Sequence, residues 1–243
     1  MIDATDVTLV VVNWNNRACL ELCLKSYIKY HYRGAPLKLI LVDNASDDDS
    51  VEWLLKNQVP FIRNNRNIGH EQAINQVYPL IRTKYANIVD TDVEFLEDYY
   101  AQYAHFLNDK CKLVGDYIDD NMLNSPVKPR VGAWNFFFDI GAMRDLGYDN
   151  FRETGDWSYD VGSFMTEKIL DHGFTIHHTP RLNKDINSDV RGMDYGTHIH
   201  YGKLSWNVQN HMDREWEIDM RMKHIINERL PLYKYIKLEN KFI

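Results

Sequence analysis

In the stretch Asn-Ile-Val-Asp-Thr-Asp-Val-Glu-Phe, residues 87–95, an apolar segment runs directly into three acidic residues. Ile88 and Val89 are typical of the end of a buried strand. Side chains two positions apart in a strand point the same way, so we expect Asp90 and Asp92 to project side by side. A divalent cation such as Mg²⁺ or Mn²⁺ would relieve their repulsion and bridge to a phosphate-bearing substrate. The alternative is an acidic, solvated turn.

Composition excludes several classes of protein. The chain has 243 residues, of which 44% are hydrophobic, enough for one large α/β domain or two small ones. Its net charge of −7 gives no electrostatic reason to expect nucleic-acid binding. Residues 1–6 do not resemble a signal peptide, and no apolar run approaches the roughly 20 residues that span a bilayer. Cys19 and Cys23 have helical spacing within an apolar pattern and are expected to pack, as in a reducing, cytoplasmic setting.

Strand and helix patterns alternate before the acidic stretch. Residues 7–12 form a continuous apolar run, typical of a strand buried on both faces of a parallel sheet. The further predicted elements are strands over 37–42 and 61–63 and helices over 20–28, 51–56 and 71–81. This order predicts an open α/β fold with a mostly parallel sheet flanked by helices. Ligands bind at the carboxyl ends of such strands, where Asn13, Asp43, Asn67 and Asp90 are expected to meet.

Four short motifs carry a resemblance. They are Val-Val-Asn-Trp-Asn at 11–15, Val-Asp-Asn-Ala-Ser at 42–46, Asn-Ile-Gly at 67–69 followed by Asn75, and Val-Asp-Thr-Asp at 89–92. Each is weak alone, but the ordered set resembles the nucleotide-sugar glycosyltransferases of family 2, which have the GT-A fold. The resemblance implies a Rossmann-like, mixed but mostly parallel sheet and an inverting transfer of a sugar to a hydroxyl group.

The resemblance also implies how the chain is divided. One GT-A domain would span 1–243, with a nucleotide-sugar half over 1–97 and an acceptor half over 98–212. A C-terminal helix and tail would follow over 213–243. The sugar donor is expected to be a nucleotide sugar, with UDP chosen from the frequency of that nucleotide in the family. The acceptor is expected to be a glycan or a lipid-linked molecule.

Site residues follow from the matched motifs. The loop after the first strand would contact the nucleotide, Asp43 would read the base, and the loop at Asn67 would lie near the base and ribose. Asp90 would approach the ribose or the metal, and Asp92 would hold Mn²⁺ or Mg²⁺. The full set of donor-binding residues implied is Asn13, Asn15, Asp43, Asn67, Gly69, Asp90 and Thr91. Purely structural alternatives are that Asn13 caps the next helix and that Gly69 supplies a turn.

The catalytic base is where the sequence departs from the family. Members carry an acidic pair, often Glu-Asp, that opens a helix ending in Gly and an aromatic residue. Here Gly173-Phe174 supplies the end, and the pair is replaced by Tyr159-Asp160. Inverting transfer needs a base to take the proton of the acceptor hydroxyl. Asp160 is the first candidate and Asp156 the second, with capping of the helix as the alternative for either.

A late histidine is a further candidate metal ligand. In Thr-His-Ile-His-Tyr-Gly, residues 197–202, a strand would place His198 and His200 on one face. Several GT-A enzymes bring such a histidine to the metal, and His200 is the better placed by resemblance. Zinc is the competing metal, but the cysteines lie too far away in sequence to indicate a zinc site.

The second half matches the family less closely. We expect a helix over 96–107, a loop over 116–130, a helix over 141–147 and an amphipathic helix from 214 to near 231. The tail Leu-Tyr-Lys-Tyr-Ile-Lys, residues 232–237, is expected to pack on its own domain or on a partner subunit. Peripheral contact with a membrane near a lipid-linked acceptor is the alternative.

Two other classes fit parts of the chain. Ile-Val-Asp-Thr-Asp-Val at 88–93 also fits the opening motif of haloacid dehalogenase phosphatases, although those enzymes usually carry it on their first strand. A non-catalytic nucleotide-sugar-binding module of the same fold is the other class. Release of nucleotide, release of phosphate, or binding alone would distinguish the three.

Overall fold

A computed structural model describes residues 2–118, 129–148, 151, 161–183, 191–202, 204 and 215–243. The strands are β1 Val7–Asn13, β2 Lys38–Asp43, β3 Ile62–Arg63, β4 Tyr85–Asp90, β5 Val93–Phe95, β6 Cys111–Ile118, β7 Arg130–Asp139, β8 Thr175–Thr179, β9 Met193–Asp194 and β10 His198–His200. The α-helices are α1 Arg17–His31, α2 Ser50–Lys56, α3 His70–Val77, α4 Tyr99–Tyr103, α5 Ile140–Asp145, α6 Val161–Asp171 and α7 Glu215–His224.

A seven-stranded sheet in the order β3-β2-β1-β4-β7-β6-β8 forms the centre of the described structure. Strands β1 to β4 run parallel, β7 runs antiparallel to both its neighbours, and β8 pairs parallel with β6. The predicted α/β fold with a mixed, mostly parallel sheet is therefore confirmed.

Helices cover both faces of this sheet, which is why its central strands are rich in buried apolar residues. Every residue of β1 is buried. In β7, three consecutive phenylalanines alternate between the faces as a strand requires. Phe137 packs in the core on the side of α1, and Phe136 and Phe138 pack in the core that includes residues of α3 and α6. Cys19 and Cys23 are buried in α1 as free thiols, as predicted.

A second, three-stranded sheet in the order β5-β10-β9 lies beside the carboxyl end of β4. Strand β10 pairs antiparallel with β5, so His200 lies opposite Val93 and His198 opposite Phe95. The two histidines therefore reach the acidic stretch across roughly a hundred residues of sequence. The segment His198–His200 is thus a strand, the condition under which the sequence analysis placed both histidines on one face.

The predicted helix over 96–107 is wrong at its start. Val93–Phe95 is a strand, and the backbone N–H groups of Leu96 and Glu97 both donate to the carbonyl of Thr197. Helix α4 begins only after Asp98, whose side chain accepts from the N–H of Ala101, and a 3₁₀ turn follows it. Pairing with β10 therefore overrides the helical pattern.

Two other predicted boundaries also change. The loop predicted over 116–130 is wrong at both ends, because Asp116 lies in β6 and Arg130 begins β7; residues 119–128 lie outside the described part. The helix predicted over 71–81 ends at Val77, because Pro79 follows within a 3₁₀ turn. Asn16 precedes α1, but its side chain makes no capping hydrogen bond there.

The C-terminal segment packs back on the chain. Helix α7 continues into a π-helical turn, Ile225–Arg229, and a 3₁₀ turn, Leu230–Tyr233. Within the tail 232–237, Tyr233 is buried against the chain, whereas Leu232 and Tyr235 are exposed, so the predicted packing is observed only in part. Leu238 and Phe242, just beyond the tail, are also buried. Two apolar residues of the predicted amphipathic helix, Trp216 and Ile226, are exposed, so the prediction that its apolar residues form a buried face is wrong at these positions. Within the described residues, no helix is both long and apolar enough to cross a bilayer.

Candidate donor and metal site

The loops after β1 and β2 are joined by buried hydrogen bonds. The Asn13 amide donates to Asp43 Oδ2 at 3.2 Å and to Ser46 Oγ at 3.1 Å. The other Asp43 oxygen accepts the N–H of Ser46 at 3.1 Å. Both Asn13 and Asp43 are fully buried. The Asp43 carboxylate therefore holds its own loop in this structure and lies at the carboxyl end of β2, where the sequence placed it.

Asn15 and Ala45 give these two loops their shape. Both adopt positive φ, 50° for Asn15 and 66° for Ala45, a conformation that costs a non-glycine residue energy and is concentrated at functional sites. The Asn15 side chain accepts the N–H of Asp47 at 2.8 Å, and its own N–H donates to Ser46 Oγ at 3.0 Å. The two loops therefore form one connected polar unit.

Asn44 fixes the loop that contains Asn67 and Gly69. Its amide N–H donates to Asn67 Oδ1 at 2.8 Å and to the carbonyl of Gly69 at 3.1 Å. Its oxygen accepts from the Asn64 amide at 3.0 Å. Gly69 has φ +92° and caps α3, so a glycine is needed there. The sequence reasoning passed over Asn44, although it lies inside the quoted motif at 42–46.

Asp90, Asp92 and His200, which we call the ligand cluster, come together at the carboxyl end of β4. Each offers one ligand atom, and these atoms lie within 4.8 Å of one another. The expected strand geometry is wrong, because β4 ends at Asp90 and a turn at residues 91–92 separates it from β5. The turn nevertheless brings the two carboxylates to one place, with His200 Nε2 3.3 Å from Asp92 Oδ1.

The surroundings of the cluster are built by distant parts of the chain. Asp92 Oδ2 accepts the N–H of Leu204 at 3.1 Å. Thr91 is buried, and its hydroxyl oxygen lies 3.2 Å from the Asn16 amide nitrogen. His70, the first residue of α3, places Nε2 3.2 Å from Asp90 Oδ1. His70 directly follows the Asn-Ile-Gly motif, and that adjacency was the signal available in the sequence.

The donor set fits a divalent cation that prefers oxygen. Two carboxylates and one imidazole combine the ligands that suit Mg²⁺ and Mn²⁺ with one nitrogen, which Mn²⁺ accepts more readily than Mg²⁺. The three free cysteines are buried outside this group, so the described residues offer no thiolate for a zinc site of the cysteine type.

Glu94, the third acid of the quoted stretch, has a different role. We call Glu94, Tyr201, Arg229 and Tyr233 the C-terminal anchor. Both tyrosine hydroxyls donate to the carboxylate at 2.6 Å, and the guanidinium donates through Nε and Nη2 at 2.7–3.2 Å. Burial, followed by the nearby carboxylate, raises the pKa of both tyrosines, so the hydroxyls stay protonated and donate. No pattern in the sequence indicated these four residues as partners.

His198 is held in a buried polar network rather than in the ligand cluster. Its Nε2 lies 2.8 Å from Asp116 Oδ2, and both side chains are fully buried. Asp116 also accepts from Trp134 Nε1 at 2.8 Å and from the Thr179 hydroxyl at 2.5 Å. Of the two histidines, the structure therefore brings only His200 to the acidic residues.

The two candidate bases, Asp156 and Asp160, lie outside the described residues. The helix that follows them is described, and α6 begins at Val161. A Cβ on Gly162 would meet the carbonyl oxygen of Val131 at 2.1 Å, so only glycine allows α6 to approach β7 this closely.

An open cleft of about 760 Å³ lies beside the loop fixed by Asn44. Its size is in the range of small-molecule sites. It is lined by Arg66, Asn67, Ile68, Gln72, Asn75 and Gln76.

The fold is shared with solved glycosyltransferase structures. PcManGT, a mannosyltransferase from Pyrobaculum calidifontis solved with GDP-Man and Mn²⁺, matches with a TM-score of 0.57 and 18% identity over 74% of this chain. The 1–349 fragment of S. aureus TarS with UDP matches with a TM-score of 0.54 and 14% identity over 68% of this chain. The same fragment with UDP-GlcNAc gives a TM-score of 0.52 and 10% identity over 97% of this chain and 89% of the fragment. The match covers 57% of PcManGT and 55% of the TarS fragment with UDP.

The sequence comparison goes further than the fold. No curated protein matches the chain. Residues 8–164, more than half of the chain, match Glycosyl transferase family 2. The haloacid dehalogenase alternative is wrong, since the family match covers the acidic motif, which begins at the end of the fourth strand in chain order and not on the first. The chain belongs to glycosyl transferase family 2, the nucleotide-sugar glycosyltransferases with the GT-A fold.

Proposed function

We propose that this chain is a metal-dependent, inverting glycosyltransferase of the hexosyltransferase type, formed as one domain. It would move a sugar from a nucleoside diphosphate donor to a hydroxyl group of a glycan or lipid-linked acceptor. The observation that carries the proposal is the ligand cluster, whose three ligand atoms lie within 4.8 Å of one another at the carboxyl end of β4. In open α/β sheets this is where ligands bind.

The donor would lie across the loops that follow β1, β2 and β3. Asn13, Asn15 and Asp43 form one polar unit there, and the adjoining loop presents Asn67 and Gly69. Arg63 Nε, 4.0 Å from Asp43 Oδ1, adds a positive charge beside that carboxylate. UDP is the first candidate nucleotide, and the TarS structures with UDP and UDP-GlcNAc support that choice.

Mn²⁺ or Mg²⁺ bound by Asp90, Asp92 and His200 would stabilise the negative charge of the leaving diphosphate. The chain's own residues would do the rest. The buried hydrogen bonds of Asn13 and Asn44 hold the loops before the donor arrives, so little ordering remains to be done on binding. The acceptor half, residues 98–212, would supply the attacking hydroxyl and the base.

The proposed base remains Asp160, with Asp156 as the alternative. Asp160 directly precedes Val161, where α6 begins, and α6 is held close against β7 through Gly162. Strand β7 runs antiparallel to β4, with Asn135 opposite Val89. The residues before Asn135 in β7 therefore extend toward the carboxyl end of β4. Gly162 packs against Val131, which lies in this part of β7, so the start of α6 is at the same end of the sheet as the ligand cluster. This supports a base at that end of α6.

Nucleotide binding and turnover test the proposal together. We expect one of UDP, GDP, dTDP and CDP to raise the melting temperature strongly in the presence of Mn²⁺ and weakly with EDTA. A ligand at 100 times its dissociation constant stabilises by about 2.7 kcal/mol. We also expect slow release of nucleotide from the matching nucleotide sugar. Binding without any release, with acceptor mixtures present, would instead support the non-catalytic module.

Matched substitutions test the base. Asp160→Asn should leave Mn²⁺ and nucleotide binding intact and lower turnover by roughly 10²–10⁴, the usual contribution of general base catalysis. Asp156→Asn is the control, because Asn caps a helix about as well as Asp and turnover should change little. The reverse result would assign the base to Asp156.

A further inference from the structure

The histidine of the ligand cluster is oriented differently from most metal-binding histidines. Such histidines usually donate their second ring N–H to a carboxylate, a carbonyl or water, which fixes the ring. The Nε2 of His200 faces Asp92 at 3.3 Å. Its Nδ1 is buried and has no hydrogen-bond partner among the described residues. A contact with another side chain also holds the imidazole.

That contact is the indole of Trp134. The two rings are stacked, with centroids 4.4 Å apart and planes at 16°. Trp134 comes from β7 and His200 from β10, so the stack joins the large sheet to the small one. A flat stack limits rotation of the imidazole about its χ angles while leaving Nε2 directed at the carboxylates.

The indole is itself held by a hydrogen bond, and the backbone beside it leaves room for the ring. Its Nε1–H donates to Asp116 Oδ2 at 2.8 Å, and Asp116 is anchored by His198 and Thr179. On another side the chain leaves room for it, because a Cβ on Gly132 would approach the indole ring to 2.4 Å. Only glycine at 132 accommodates the ring in this position. The two histidines of β10 are therefore linked through Asp116 and Trp134.

We propose that Trp134 is a positioning residue, which orients His200 for the divalent cation by stacking and is held in place by Asp116. The inference rests on the proposed metal binding. Trp134 would not touch the cation itself. A role in positioning predicts that every effect of Trp134 on metal binding passes through His200.

A double-mutant cycle measures this dependence. Mn²⁺ is titrated into the protein with saturating UDP, and the free ion is followed by its EPR signal. We expect Trp134→Leu to weaken Mn²⁺ binding by about 100-fold and Trp134→Phe, which keeps a ring, by about tenfold, within the range for groups that orient metal ligands. His200→Ala should weaken it at least as much as Trp134→Leu. In the His200→Ala background, neither Trp134 substitution should add any loss.

Controls separate this role from a general loss of structure. Trp53→Leu, at a half-buried tryptophan in α2, should leave Mn²⁺ binding unchanged. Metal-free melting curves report whether each variant folds, and if Trp134→Leu does not, the cycle is completed with Trp134→Phe. The inference would be overturned, with the proposed metal dependence unaffected, by either of two results. One is Mn²⁺ binding by the Trp134 variants equal to that of wild type, and the other is a loss that adds to the loss caused by His200→Ala. Failure of the wild-type protein to bind Mn²⁺ would overturn both the inference and the proposed metal dependence.

Discussion

The ligand cluster and the C-terminal anchor share one short segment of chain but treat their carboxylates in opposite ways. Asp92 faces the imidazole of His200 and lies close to Asp90. Glu94, two residues later, accepts two tyrosine hydroxyls and a two-pronged arginine. In the first region like charges are held together, and in the second one charge is neutralised. The three acids of this alternating pattern therefore do not all share one role. Partners from the last hundred residues distinguish Asp92 from Glu94.

The largest effect is expected at Asp92. Asp92→Asn should weaken Mn²⁺ binding by more than about 100-fold, beyond the range expected for residues that only orient ligands. The amide oxygen can still accept the N–H of Leu204, and repulsion with Asp90 is removed. The free energy of unfolding without metal should therefore equal or exceed that of wild type in urea titrations. A clear loss of metal-free stability would show that Asp92 is structural, as Glu94 is.

Substitution of Glu94 should have the opposite effects, a loss of stability with Mn²⁺ binding retained. Glu94→Gln removes the charge that neutralises Arg229 and should lower the free energy of unfolding by about 3 kcal/mol, the lower end for breaking a buried pair, because the arginine side chain is 24% exposed. Mn²⁺ affinity should stay within a few-fold of wild type, as measured by the same EPR titration. Loss of Mn²⁺ binding in the folded variant would mean that the two regions are coupled rather than separate.

A buried histidine beside β5 makes the stability of this segment depend on pH. His31 packs against Phe95 with ring centroids 5.1 Å apart, and it accepts the N–H of Tyr99 through Nε2. Burial lowers the pKa of His31 from 6.5 to about 4, against a smaller opposing effect of Asp98. The folded state therefore binds fewer protons than the unfolded state between these values, and stability falls as the pH falls through that window.

The expected loss from His31 is about 2 kcal/mol at pH 5 relative to pH 7.5, from a pKa shift worth 1.36 kcal/mol per unit. Urea unfolding of wild type and His31→Gln from pH 7.5 to 5 measures it. The substitution should lower stability at pH 7.5 but flatten the dependence on pH. Parallel curves for the two proteins would assign the pH dependence to other groups.

The smallest effect is expected for an ion pair on the surface of α7. Asp219 and Lys223 are 2.6 Å apart, but their side chains are 59% and 67% exposed. Asp219→Asn should change the free energy of unfolding by less than about 0.5 kcal/mol, since solvent already screens the pair. A change approaching that of Glu94→Gln would show that the whole C-terminal helix, and not only the anchor, carries the stability.

Local patterns were sufficient for the first half of the fold. The apolar run of β1 and the polar residues after β1, β2 and β4 predicted the parallel sheet and its ligand-binding edge. Two predicted helix boundaries were wrong. Helix α3 ends early because of Pro79, and α4 begins late because β5 pairs with β10. Pairing of that kind joins Phe95 to His198, and no pattern within a window of ten or twenty residues records it.

The candidate site was predicted only in part, because local patterns do not record contacts between residues far apart in sequence. Motif positions indicated Asp92 and His200, and the structure brings them together. The partners of Glu94 and the stack of Trp134 on His200 depend on side chains far apart in sequence. Trp134 precedes three phenylalanines, so its setting resembles ordinary core. Its tertiary contacts with His200 and Asp116 distinguish Trp134 from the three phenylalanines.

The π-helical turn at Ile225–Arg229 has a consequence for changes in chain length. Such a turn holds one more residue than an α-helical turn, because its hydrogen bonds run from i to i+5. Deleting one residue there would let α7 continue as a regular helix, but every later side chain would rotate by about 100° around the axis. Arg229 and Tyr233 would then turn away from Glu94 together. Homologues that gain or lose a single residue in this turn should therefore also replace the acid at position 94, whereas length changes beyond Tyr233 should be independent of it.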